Sequence, residues 1–199
     1  MTELPLFPLS SVLFPGGRMS LQIFEQRYLD LVRHCLKQDT GFGQVWITSG
    51  AEVTQPGVAQ PSLGTIGTYA RIVDWDSLPN GLLGITVEGG ELFQLDSSSV
   101  RDDGLVTGQV DIAPGRPAQA LAEQWQSLLD VLASLEQHPH VQRLGIRADH
   151  TDAWQVGSVL AQLLPVQEDL KYEMLQMQEL EPFLERLGQL LDQLGGLTA

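Results

Sequence analysis

The chain is poor in basic charge, in cysteine and above all in lysine. Its 199 residues carry 11 Lys and Arg against 25 Asp and Glu, a formal net charge of −14. A surface that neutralises nucleic-acid phosphates needs clustered Lys and Arg, so this balance disfavours a nucleic-acid partner. Residues 1–115 hold 6 basic and 13 acidic side chains and residues 116–199 hold 5 and 12, so each part bears −7. The acidity is therefore a general solvated surface and not a tail. Cys35 is the single cysteine, which excludes an internal disulfide and makes a reducing cytoplasm the simpler setting. No run approaches the ~18 apolar residues of a membrane span. The opening stretch lacks a basic flank and is broken by Pro5, Pro8 and Pro15, so it is expected to be fold and not leader, with no membrane partner.

Catalytic signatures are equally scarce. The lysines are Lys37 and Lys171, and neither follows a glycine, so no GxxxxGK[ST] phosphate loop exists. Lys171 is the one realistic member of a Ser–Lys dyad, but it lies in a helical region outside any peptidase-like context. Gly41-Phe42-Gly43 lacks the third glycine of a dinucleotide motif. Ser158 has no glycine two residues on, as a nucleophile elbow needs. His138-Pro139-His140 offers two metal ligands where zinc wants three or four. No cofactor and no metal are expected, and the chain reads as a non-enzyme.

What is present is a change of character near the middle. Leu4–Leu9 and Val12–Phe14 are short apolar runs, followed by a Pro15-Gly16-Gly17 turn. Phe24, Tyr28, Leu31 and Cys35 then recur at helical spacing, with Ile23 and Val32 beside them, Glu25 and Lys37 placed to suit the dipole, and Gly41 as a stop. Strands are expected at Gln44–Thr48 and Gly64–Trp75. A hairpin is expected around Pro79-Asn80-Gly81 within Ser77–Val87, and further strands at Glu88–Leu95 and Val106–Ile112. Several short strands with glycine-rich turns predict a small, partly closed barrel. After Ala113–Pro117, four leucine-rich stripes predict helices: Leu121 to Leu135, Trp154 to Leu164 before Pro165, Leu170 to Met177, and Leu180 to Leu194 before Gly195-Gly196. The expected organisation is a barrel over residues 1–115 and a helical bundle over 116–199 packed on it.

The segments LPLFPLSSVLFPGG, LQIFEQRYLDLV, GTIGTYARIVDWDSLPNGLLGITVEGGELFQL and LAQLLPVQEDLKYEMLQMQELEPFLERL together resemble the N-terminal substrate-binding domain of Lon proteases in its stand-alone form. The resemblance implies an α+β fold: a PUA-like β pseudobarrel with one inserted helix, then a C-terminal helical bundle. It also implies recognition of unfolded or extended polypeptide without cleavage, as an adaptor beside a protease or chaperone, since the ATPase and peptidase motifs of Lon are not found here. One departure is Leu92 before Phe93, where family members often carry arginine.

The candidate peptide-contact residues are Phe7, Phe14, Phe24, Glu25, Arg27 and Tyr28. Prolines and aromatics at an N-terminal strand edge can leave an apolar groove for an extended chain. The more economical reading makes them core and struts, with the prolines confined to edge positions. Glu25 and Arg27, two apart in a helix, are expected to need separate partners. A rival reading, a metal-dependent hydrolase, would use Asp74 and Asp76 or the His-Pro-His loop. RNA binding would require Arg18, Arg27, Arg71 and Arg101 to converge on one patch. Met174, Met177 and Leu180 could form an adaptable binding surface, but core packing at helical spacing is the better reading.

Overall fold

The computed structural model describes residues 1–50, 52 and 61–196. It divides into two compact units, Met1–Gly115 and Arg116–Ala199.

The first unit is built from β1 (Thr2–Leu9), β2 (Arg18–Ile23), α1 (Gln26–Gln38), β3 (Phe42–Ser49), β4 (Ser62–Ser77), β5 (Leu83–Val100) and β6 (Val106–Ile112). The strand order is β2-β5-β4-β3-β1-β6, and β6 also pairs with β5. Five strands thus close into a ring, β5-β4-β3-β1-β6, and β2 is added outside it on β5. Closure removes sheet edges, and it needs the long β5, whose two halves do different things. Leu83–Glu88 pair with β2 and with the far end of β4. Phe93–Val100 pair with β6 inside the ring.

Two apolar clusters fill this unit. One holds Phe7, Leu13, Ile23, Tyr28, Leu31, Cys35, Phe42, Ile85 and Val87; the other holds Leu4, Leu6, Val45, Phe93 and Val110. Gly67 and Gly43 are required by packing: the Phe93 ring fills the place where a Cβ would stand at either.

Several expectations change here. β1 is internal, between β3 and β6, and not an edge strand. Its prolines are tolerated because it pairs with β6 through Thr2–Leu6 and with β3 through Leu6–Leu9. Pro5 and Pro8 each therefore have one paired side. Val12–Phe14 is irregular and fully buried. It is held by two buried polar side chains: Gln44 donates to Ser11 O (2.7 Å) and accepts from Leu13 N (3.2 Å), and Thr68 donates to Leu13 O (2.6 Å). The Pro15-Gly16-Gly17 turn, with Gly16 at φ 74°, leads into β2 and not directly into the helix. Ile23 accordingly belongs to a strand. The helix stops at Asp39, which adopts φ 53° while Thr40 N bonds back to Cys35 O at 3.1 Å, so Gly41 is not the stop. The Pro79-Asn80-Gly81 hairpin is present, with Gly81 at φ 80°. The two strands read across 83–95 are one continuous β5.

The second unit has a 3₁₀ turn (Glu123–Trp125), α2 (Gln126–Glu136), α3 (Pro139–Leu144), α4 (Ala153–Leu163), α5 (Glu168–Leu175) and α6 (Leu180–Gly196). α4 is buried along nearly its whole length. Gly157 in α4 leaves room for the Phe183 ring of α6, which stands where a Cβ would be. Leu128, Leu132, Val156, Leu160, Leu184 and Leu187 complete the core; Met174 is buried as expected, whereas Met177, past the end of α5, and Leu180 are only half-buried. The His-Pro-His segment is not a loop. His138 caps α3 by accepting from His140 N (3.2 Å), with Pro139 at the first helical position.

Candidate functional site

The paired register of β2, β5 and β4 sets out a small three-stranded arm outside the ring. Residues directly paired across a sheet share a face. Met19, Val87 and Ile72 form one row, Leu21, Ile85 and Trp75 the next, and Ile23, Leu83 and Ser77 the last. Apart from Ser77 this face is apolar, and its inner part lies under α1, in the cluster with Tyr28, Leu31, Val32 and Cys35. Its outer part is not covered: Trp75 is 61% exposed. The opposite face carries Ser20, Thr86 and Asp74 in one row and Gln22, Gly84 and Asp76 in the next, all polar or glycine. A bulge at Val73 separates Ile72 from Asp74 and produces this arrangement. Without it, period two would put Trp75 on the polar face. Val73 is itself exposed.

β4 pairs with β3 only as far as Ala70. From Arg71 to Ser77 its outer edge has no strand beside it among the described residues. Trp75 N bonds to Asp74 Oδ1 (2.9 Å) and Ser77 N to Asp76 Oδ1 (2.7 Å). Two backbone donors on this edge are thus capped by the preceding carboxylates.

The six candidate contact residues separate sharply. Phe7, Phe14 and Tyr28 are buried, and that corrects the expectation that they line a peptide surface. Phe7 stacks on Tyr28 with ring centroids 3.9 Å apart and packs against Phe42 at 5.5 Å. Burial pushes the Tyr28 phenol up to about 12, against the lowering pull of Arg27. Phe24 does not join the helical stripe; it lies between β2 and α1 and is 58% exposed. Glu25 is the extended residue before the helix, at φ −82° and ψ 136°. Because it is not helical, it reaches Arg27 at 2.9 Å, so the expectation of separate partners fails. Arg27 also donates to Gly104 O (2.7 Å) in the β5–β6 turn and lies 4.6 Å from the Tyr28 ring centroid. With its side chain 8% exposed, Arg27 is a strut.

The rival chemistries find little support. Asp74 and Asp76 are exposed and turned to their own backbone, and among the described residues no three His, Cys, Asp or Glu side chains could hold a metal. Lys171 is buried on Gln162 O and Glu168, both at 3.2 Å. The Cys35 thiol is buried against Gly41 O and raised by that burial. The four arginines do not form a patch: Arg18 pairs with Glu88 (2.7 Å), Arg101 with Asp103 (3.2 Å), Arg27 with Glu25, and Arg71 lies over Tyr69.

Sequence reasoning missed a cleft of about 470 Å³ in the second unit. Trp154, Leu180, Glu181 and Pro182 help to line it. Arg116 stacks 3.8 Å from the Trp154 ring centroid and donates to Met177 O at 2.7 Å. Nothing in the spacing of Arg116 and Trp154 announces that contact.

Comparison with known proteins decides the family. The model of the ATP-dependent protease La (LON) substrate-binding domain matches residues 3–193. The chain belongs to this family. A Lon N-terminal domain protein from Xanthomonas campestris has the same fold at 35% identity, with a TM-score of 0.72 over 96% of this chain and 98% of that one. The N-terminal domain of Lon protease from the Mycobacterium avium complex shares the fold alone, at 13% identity and a TM-score of 0.63 over 94% of this chain and 96% of that one. Lon protease 2 of Myxococcus xanthus is 34% identical over 93 residues, which is 46% of this chain and 11% of that protease. The Lon protease of Anaeromyxobacter dehalogenans is 32% identical over a stretch of the same extent. The α+β architecture, a PUA-like barrel unit and a helical unit, is thus that of Lon substrate-binding domains.

Proposed function

We propose that the protein is a polypeptide-binding module that holds extended or unfolded segments without cleaving them, as an adaptor to a protease or chaperone. The observation that carries this reading is the uncovered outer part of the β2-β5-β4 face, where Trp75 stands exposed in the same row as Leu21 and Ile85. A large aromatic left on the surface in line with core residues is how a binding patch begins. Membership of the substrate-binding family supports a polypeptide as the ligand.

A non-catalytic role is supported by the structural commitments of Lys171 and His138. The pairing of Arg18, Arg27 and Arg101 with carboxylates supports a role without nucleic acid. No helix among the described residues is long and apolar enough to cross a membrane, and the single buried cysteine suits a reducing cytoplasm.

Binding is expected to be weak, at micromolar Kd or above, because an unfolded ligand loses ordering entropy on capture. Amide NMR of the full chain titrated with a reduced, alkylated and permanently unfolded model protein tests this. Shifts should centre on Val73–Ser77, Leu21 and Ile85. Absence of any shift at high micromolar ligand would remove the reading.

A further inference from the structure

The open edge of β4 suggests how an extended segment is held. Resting on the polypeptide-binding reading above, we infer that residues 71–77 accept a segment as an added strand, and that the favoured segment alternates apolar with basic residues.

Three observations converge. First, β4 runs seven residues past its last pairing with β3, and all but Ile72 of these are exposed. At ~3.3 Å per residue this edge offers roughly 20 Å of backbone with no strand beside it among the described residues, enough for a strand of ordinary length. Second, the outward donors of Trp75 and Ser77 are occupied by the exposed carboxylates of the preceding residues and not by another strand. A natural edge is normally blunted to prevent unwanted pairing. Here the blunting comes from two side chains that an incoming carbonyl can displace, and once displaced they remain beside the added strand as charges. Third, the arm has two different faces. An added strand alternates in the same way, so its residues on the Trp75 face meet tryptophan and the apolar row, while those on the other face meet Asp74 and Asp76. Lys or Arg at alternate positions would pair with these carboxylates, and the net charge of −14 favours the approach of a cationic segment.

The same chemistry disfavours a second copy of this chain as the occupant. Pairing β4 with β4 would set the Asp74 and Asp76 carboxylates of two strongly acidic molecules side by side, and like charges across a sheet are destabilising.

The test uses the full chain and three blocked octapeptides. One alternates Lys with Val and Phe. The second has the same side chains but is N-methylated at every other amide, on the edge that would face β4. The third replaces Lys by Glu. Strand addition predicts slowed hydrogen exchange at Trp75 and Ser77 with the first peptide, and affinities at least about tenfold weaker for the other two. Ser77→Pro removes one outward donor while leaving the β4–β5 ladder intact. It should weaken the first peptide by about tenfold with an unchanged far-UV spectrum. Equal binding of the N-methylated peptide would overturn strand addition, equal binding of the Glu peptide would overturn the preference for basic residues, and a concentration-dependent dimer abolished by Ser77→Pro would overturn the assignment of the edge to a peptide. If the unfolded model protein still shifts Trp75 in those cases, the polypeptide-binding reading survives. If neither peptide nor unfolded protein binds, both fail.

Discussion

The two halves of β5 are one strand in two situations. From Phe93 to Val100 it pairs with β6, and at Phe93 and Gln94 also with β4, which is where the ring closes. From Leu83 to Glu88 it is the middle of an open arm, with β2 on one side and the free end of β4 on the other. In the ring the core-facing side chains are sealed: Phe93 fills the space over Gly43 and Gly67, and Val110 and Val45 close around it. In the arm the apolar row runs from buried Ile85 outward to exposed Trp75. Closure converts apolar area into stability. An open edge leaves some of that area, and some backbone, to be completed by another chain.

The sharpest way to break the comparison is to cut a sealed side chain. Phe42→Ala removes a fully buried ring that packs on Phe7 and should cost about 3–5 kcal/mol, read from the urea midpoint of the first unit. Arg27→Ala comes next. It deletes the Glu25 pair, the bond to Gly104 O and the contact with Tyr28, for about 2 kcal/mol in the same measurement.

The pH dependence tests the sealed side in another way. The folded pKa of Tyr28 lies above the unfolded value near 10, so the stabilisation is complete below pH ~10. It is lost as the pH rises towards about 12. Urea titrations across that window should show a decline on the order of 2 kcal/mol that Tyr28→Phe flattens. The smallest stability effect belongs to the open side. Trp75→Ala should change unfolding by less than about 0.5 kcal/mol yet weaken capture of the unfolded model protein several-fold. A large stability loss from Trp75→Ala, or none from Phe42→Ala, would erase the distinction between sealed and open apolar positions.

Some of this was legible along the chain. The Pro79-Asn80-Gly81 hairpin, β6 and the four leucine stripes are local signals, set by turn chemistry and by side-chain period. β2 was not legible because Leu21 and Ile23 run straight into the apolar spacing of α1, so period alone could not separate a strand from the start of a helix. The Glu25–Arg27 pair was misjudged for the same reason: the helix begins at Gln26, two residues after the stripe's first member Phe24, and an extended Glu25 can reach what a helical one cannot. Phe7 and Phe14 look alike in sequence to Phe24, yet two are sealed and one is exposed, and no window of neighbours distinguishes them.

The amino-acid order by itself determined the local alphabet: which stretches alternate, which wind, and where glycine and proline force a turn. It also carried the family pattern. Tertiary structure alone decided which apolar residues are surplus to the core. Burial depends on which strands lie across from one another, through contacts tens of residues distant, and a one-residue bulge at Val73 reassigns the face of everything that follows it in β4.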